Sequence, residues 1–134
     1  LKIAATLVVS SWLGCLLAGA LLGYSWYQSL ALSSAFGWYS LSGILIGGEL
    51  GPILGSAAFL NDLVRELLAI MLIPLLMRHH GSAAIGLGGA TALDFTLPII
   101  QKSGGLMMVP IAVVSGFILS LLGPLLMLGF LALH

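Results

Sequence analysis

The sequence predicts an all-α integral membrane protein of about five transmembrane segments, two of them discontinuous, near residues 37–43 and 88–98. Three observations lead there. The 134 residues are 60% hydrophobic and only 6% charged, with a mean hydropathy of +1.22. That is too little charge to cover a water-soluble domain. Apolar runs recur along the whole chain, each near the roughly 20 residues a helix needs to cross hydrocarbon. Several of the few charges lie inside these runs, above all in Phe59-Leu60-Asn61-Asp62-Leu63-Val64-Arg65-Glu66-Leu67-Leu68. At a bilayer centre each charge costs roughly 2.5–3.5 kcal/mol on insertion scales. Such side chains must face protein or trapped water.

Composition also excludes several classes. Net charge is zero and no basic tract exists, so nucleic-acid binding has no footing. Cys15 is the single cysteine and offers neither an intrachain disulfide nor a metal site. No polar chain follows the first apolar run, as one would after a secretory signal peptide. The chain starts at Leu1 and enters apolar sequence almost at once. It reads as a piece of a longer polypeptide, or one with its start removed, so a site within it is expected to be half a site.

The first segment is expected over about 3–22, with Gly14, Ala18, Gly19 and Gly23 forming a small-residue strip for close helix packing. Tyr24, Trp26 and Tyr27 follow as an interfacial aromatic belt. The second, about 29–49, contains Phe36-Gly37-Trp38-Tyr39-Ser40-Leu41-Ser42-Gly43. Glycine costs about 1 kcal/mol relative to alanine inside a helix, and serine offers the backbone other partners. A broken or re-entrant segment is the expectation here, tolerated only against protein or a wet cavity. The competing reading is a continuous helix whose Gly43, Gly47, Gly51 and Gly55 serve packing. Gly48-Glu49-Leu50-Gly51-Pro52 is expected to turn, with Pro52 opening the third segment, 52–77.

In that third segment Asp62, Arg65 and Glu66 stand at i, i+3 and i+4, so they share one helix face with Asn61 beside them. Pro74 should bend the helix or mark its exit. Arg78-His79-His80-Gly81 is a polar loop, and two adjacent histidines without a third ligand read as a solvated pair rather than a metal site. The fourth segment, about 82–102, holds Gly86-Leu87-Gly88-Gly89-Ala90-Thr91-Ala92-Leu93-Asp94-Phe95-Thr96-Leu97-Pro98. Pro98 cannot donate to the carbonyl of Asp94 and clashes with it, so the helix should be interrupted there. The fifth, 106–133, is plain apolar packing with a kink expected at Pro124.

An acid beside freed backbone groups at membrane depth is how discontinuous helices build cation sites in secondary transporters. Asp62, Glu66 and Asp94 outnumber Arg65, leaving up to two negative equivalents for a cationic cargo, a proton or a sodium ion. Five helices are too few to enclose a gated path. A second half in inverted orientation is therefore expected, with the site between the halves. No nucleophile–base pair or metal cluster argues for an enzyme. The serines lack a Gly-x-Ser-x-Gly or rhomboid-like frame, and Asp94 lacks the Gly-x-Gly-Asp frame of an aspartyl intramembrane protease.

The runs Gly37-Trp38-Tyr39-Ser40-Leu41-Ser42-Gly43, Gly51-Pro52-Ile53-Leu54-Gly55-Ser56-Ala57-Ala58-Phe59-Leu60-Asn61-Asp62-Leu63-Val64-Arg65-Glu66, Gly89-Ala90-Thr91-Ala92-Leu93-Asp94-Phe95-Thr96-Leu97-Pro98 and Gly116-Phe117-Ile118-Leu119-Ser120 resemble the LysO-type lysine exporters of bacteria. The resemblance runs from about residue 35 to the end; the first thirty-odd residues match only as a generic helix. It implies a multi-pass exporter of L-lysine in the bacterial cytoplasmic (inner) membrane, with this chain as the carboxyl-terminal half. The amino-terminal half would be a partner, in the same polypeptide or a separate chain, and a homodimer is left open. No cofactor is expected beyond a coupling proton or sodium ion. Asp94 would receive the lysine ammonium and the coupling ion in turn, with Thr91, Thr96, Ser40 and Ser42 as neutral ligands and Trp38 and Tyr39 beside them. Asn61, Asp62, Arg65 and Glu66 would form a paired network, with Arg65 as ligand of the cargo carboxylate a second option. A sodium/proton antiporter and an assembly subunit whose buried charges pair with a partner helix are the rival readings.

Overall fold

A computed structural model describes residues 1–133, which form helices joined by short turns, with no strand among them. In chain order these are α1 (Lys2–Leu22), α2 (Trp26–Ser33), α3 (Tyr39–Leu50), α4 (Pro52–Met77), α5 (Gly81–Gly88), a 3-10 helix (Gly89–Leu93), α6 (Leu97–Gly104) and α7 (Met108–Leu131). Helix α1 stops at Gly23, whose φ of 81° no β-carbon opposes and whose N–H returns to the Gly19 carbonyl. Gly19 then lets α2 approach, because a β-carbon there would strike the hydroxyl of Ser29. At the start of α2 the side-chain carbonyl of Gln28 accepts from the Ser25 N–H at 3.1 Å, satisfying a helix-end donor.

The second segment differs from its expected form. Its helices are α2 and α3, and the non-helical stretch between them is 34–38, upstream of the serine-rich part. Ser40 and Ser42 are helical. The break is set by two residues with positive φ, Phe36 at 50° and Gly37 at 93°. The turn expected over Gly48-Glu49-Leu50-Gly51-Pro52 shrinks to Gly51 alone, at φ 98°, with Pro52 opening α4. Pro74 lies inside α4, which continues to Met77.

Helices α3 and α4 form a tight hairpin through glycine. A β-carbon on Gly55 would lie 2.5 Å from the Gly47 Cα and 2.8 Å from the Gly43 carbonyl. Only hydrogen fits there, so the two backbones touch. Three apolar clusters complete the core. Ile73, Ile85 and Ile100 join α4, α5 and α6. Leu32, Ile46 and Met127 join α2, α3 and α7. Ala4, Phe36 and Leu119 tie α1 and α7 to the first break.

The outer surface is strongly apolar. Leu13, Leu17 and Leu21 on α1, and Val114, Phe117, Leu121 and Leu125 on α7, are all exposed. Among the described residues, α1 and α7 are the two helices long and apolar enough to cross a membrane. Helix α4 has 26 residues and carries three charges. At 1.5 Å per residue it is about 39 Å long.

The hairpin yields a stability prediction. Gly55→Leu should destabilise the folded protein by about 1–3 kcal/mol through overpacking. Gly48→Leu, with open space around its β-carbon, should leave the melting temperature in detergent nearly unchanged. Equal melting temperatures for the two variants would show that the hairpin is not closed through Gly55.

Candidate functional site

The two non-helical stretches meet. The Ala90 N–H donates to the Phe36 carbonyl at 2.9 Å, joining the 34–38 break to the 3-10 helix. Between them lies the guanidinium of Arg65, reaching over from α4. A β-carbon on Gly37 would collide with its Nη1, and one on Gly89 would sit 2.6 Å from Nη2 and 2.8 Å from Nη1. Gly89 has φ 62°, so both its backbone and the space around it require glycine. Arg65 Nη2 also donates to the Gly86 carbonyl, at 3.4 Å. The chemistry follows from helix ends. Where α2 and α5 stop, their last carbonyls lose intrahelical partners and carry the negative end of the helix dipole. A guanidinium has five donors and a fixed positive charge, and suits such a place.

The acids flank this guanidinium along α4. Asp62 is 2% exposed and its Oδ2 accepts from Ser42 Oγ at 2.7 Å. The Gly37 amide also interacts with it. Glu66 is 4% exposed, faces the Thr91 hydroxyl, and has its Oε1 buried without a hydrogen-bond partner. Both carboxylates lie within electrostatic range of Arg65. One turn of α4 therefore presents an acid, a base and an acid to the crossing.

Asp94 follows the 3-10 helix, and its side chain is exposed. Its own N–H bonds the Thr91 carbonyl at 3.1 Å, and its Oδ1 accepts from the Phe95 N–H at 2.5 Å. Helix α6 starts just beyond, with Pro98 in its first turn. Asp94 still acts electrostatically on Glu66. Thr91 Oγ1 donates to the Gly88 carbonyl at 2.7 Å. Thr96 is fully buried with no partner for its hydroxyl, which lies where a β-carbon on Gly88 would stand 2.7 Å away.

The sequence-predicted residues thus fall into separate groups. Ser42 belongs with Asp62. Thr91 and Thr96 lie about Gly88, with Thr91 facing Glu66. Tyr39 packs edge-on against Phe59, with centroids 5.5 Å apart, while Ser40, Trp38 and Asn61 are exposed. Sequence reasoning missed the roles of Gly37 and Gly89 as the floor beneath Arg65. A pair of glycines, one in each unusual segment, was the available signal.

The profile of the family described as Lysine exporter LysO matches residues 1–131. The chain belongs to the LysO family of lysine exporters. The match takes in α1, so the family likeness is not confined to the part beyond about residue 35, and the reading of the first thirty-odd residues as a generic helix is corrected. Lysine exporter LysO of Escherichia coli strain K12 is 57% identical over 130 residues, which cover 97% of this chain and 44% of that protein. A relative from Haemophilus influenzae is 50% identical over 130 residues, covering 97% of this chain and 67% of its own length. The chain thus spans somewhat less than half of the first and about two thirds of the second. No solved structure matches it.

The crossing yields a second prediction. Gly89→Ala should lower stability beyond the ~1–3 kcal/mol of a strained backbone, because its β-carbon meets Phe36 and Arg65. Gly105→Ala, at φ 82° and ψ 177° with open space around its β-carbon, lies in a similarly glycine-only backbone region, so it should show the backbone strain alone. Thermal unfolding of both variants measures the difference, and equal losses would remove the crossing contact.

Proposed function

We propose that this LysO-family chain serves in the export of L-lysine across the bacterial cytoplasmic membrane, by antiport against an entering proton or sodium ion. It acts as one half of the transporter. Family membership supports the cargo, and the observation that carries the mechanism is Asp94, a carboxylate standing in an interrupted helix. Its exposure in this half suits a site closed by the other half, in the same polypeptide or a second chain, as in inverted-repeat transporters. The apolar faces of α1 and α7 suit lipid, and the pieces α2–α3 and α5–α6 would each make a discontinuous membrane segment.

Lysine brings a side-chain ammonium of pKa about 10.4, charged throughout the physiological range. Asp94 holds that ammonium in one state and the coupling ion in the other. The two never compete for separate charges, so cargo and ion alternate. Glu66 Oε1 and Thr96 Oγ1, buried and unpartnered, favour a small cation or a proton near the same gap, since buried polar atoms are rarely left unpaired.

Asp94→Asn keeps the shape and removes the charge. Lysine efflux in the full-length protein should fall to the level of cells lacking it, with membrane abundance unchanged. Normal efflux by this variant would take Asp94 out of the mechanism. Labelled-lysine efflux under imposed pH or sodium gradients then distinguishes the two coupling ions, and sodium/proton exchange without lysine movement would replace this reading.

A further inference from the structure

A second polar feature lies where α4 faces α1 and the end of α2. A cleft of about 270 Å³ runs between α1, the end of α2 and α4. Its lining includes the hydroxyl residues Ser10, Ser11 and Ser33 and the polar run Asn61, Asp62 and Arg65. The volume is near the lower end of the roughly 300–1,000 Å³ typical of small-molecule sites. One wall thus carries a carboxylate and a guanidinium one helical turn apart, with hydroxyls opposite.

We propose that this cleft binds the α-ammonium and α-carboxylate of a free amino acid, with Asp62 taking the ammonium and Arg65 the carboxylate. The inference rests on the reading of lysine as cargo and deepens it. Both groups are held ready. Ser42 fixes one oxygen of Asp62 at 2.7 Å. Arg65 is braced by the Gly86 carbonyl and by Gly37 and Gly89, and Gly86 occupies only one of its five donors. A planar fork matches a carboxylate through two parallel bonds. The cleft would recognise what all α-amino acids share, and the side-chain ammonium would be left for Asp94. Lysine would then be selected by two sites, one reading the zwitterion and one the extra charge.

The test uses the full-length protein reconstituted in liposomes, with labelled lysine as the transported species and three unlabelled competitors. Lysine carries both α-groups, cadaverine lacks the carboxylate, and 6-aminohexanoate lacks the α-amino group. Each truncated analogue should compete roughly tenfold or more weakly than lysine, the effect of leaving a charged hydrogen-bonding group unpaired. In Arg65→Gln the advantage of lysine over cadaverine should vanish. Because Arg65 also holds the crossing, Gly14→Leu gives a test that leaves it untouched. Gly14 lines the cleft and has open space at its β-carbon, so a side chain starting there meets no neighbour at its β-carbon and narrows the cleft. The KM for lysine should rise roughly tenfold in this variant.

Cadaverine competing as well as lysine against the unaltered protein, or an unchanged KM in Gly14→Leu, overturns the zwitterion site while leaving lysine export in place. Absence of lysine movement by the unaltered protein overturns the proposed function and this inference with it.

Discussion

The placement of the Arg65 guanidinium at the crossing of two interrupted backbones is the constraint on which the rest of the structure depends. Both breaks free carbonyls that no water reaches cheaply, and each buried polar group left unpaired costs about 1–3 kcal/mol. One cation placed between them donates to the Gly86 carbonyl and sets a positive charge beside both breaks. It needs room, and Gly37 and Gly89 provide that room because a β-carbon at either would occupy the guanidinium's place. The Phe36–Ala90 backbone hydrogen bond then joins the first break to the 3-10 helix at the same point. Helix α4 can supply the arginine because it runs unbroken from Pro52 to Met77. A rigid rod carries the charge near its middle, and the two broken elements fold around that point.

The same logic explains why the acids are where they are. Helical spacing puts Asp62 about one turn before Arg65 and Glu66 directly after it, and each meets a hydroxyl from one interrupted element. Ser42 comes from α3, directly after the first break. Thr91 comes from the 3-10 helix within the second. Each break therefore contributes both a problem, its freed carbonyls, and part of the solution, a hydroxyl for the acid beside it. The glycine hairpin of α3 and α4 matters here, since it brings Ser42 to within hydrogen-bond distance of Asp62.

Local features were the most legible in the sequence. The shared face of Asp62, Arg65 and Glu66 follows from 3.6-residue periodicity alone, and Gly43, Gly47 and Gly55 announce close packing by their spacing. The interruption before Pro98 follows from its missing N–H. Partners were not legible, because they are set by tertiary placement. Spacing suggests Arg65 as the hydrogen-bond partner of Asp62, yet Ser42, twenty residues away, donates to it. The first break was misplaced for a related reason. Serine and glycine over 40–43 weaken a helix intrinsically, but Ser42 is held in α3 by its bonds to the Tyr39 carbonyl and to Asp62. The backbone turns instead at Phe36, a residue that rarely adopts positive φ and that no propensity would select. Its side chain is buried against α7, so packing fixes a conformation that the local sequence disfavours.

Charge balance ties these features to the proposed transport. With every group ionised, Asp62, Glu66 and Asp94 face one guanidinium, an excess of two negative charges in surroundings of low dielectric. Such an excess cannot persist without protons, metal cations or a cationic solute to offset it. Asp62 is already held by a hydroxyl and lies near the arginine, whereas Glu66 has an oxygen without a partner and Asp94 stands exposed. The unbalanced charge therefore resides mostly on the side of the α5–α6 gap. In the proposed antiport, a lysine reaching that gap would supply a positive charge, and on leaving would have to be replaced by another. Electroneutrality of the gap would then itself link outward lysine to an inward cation.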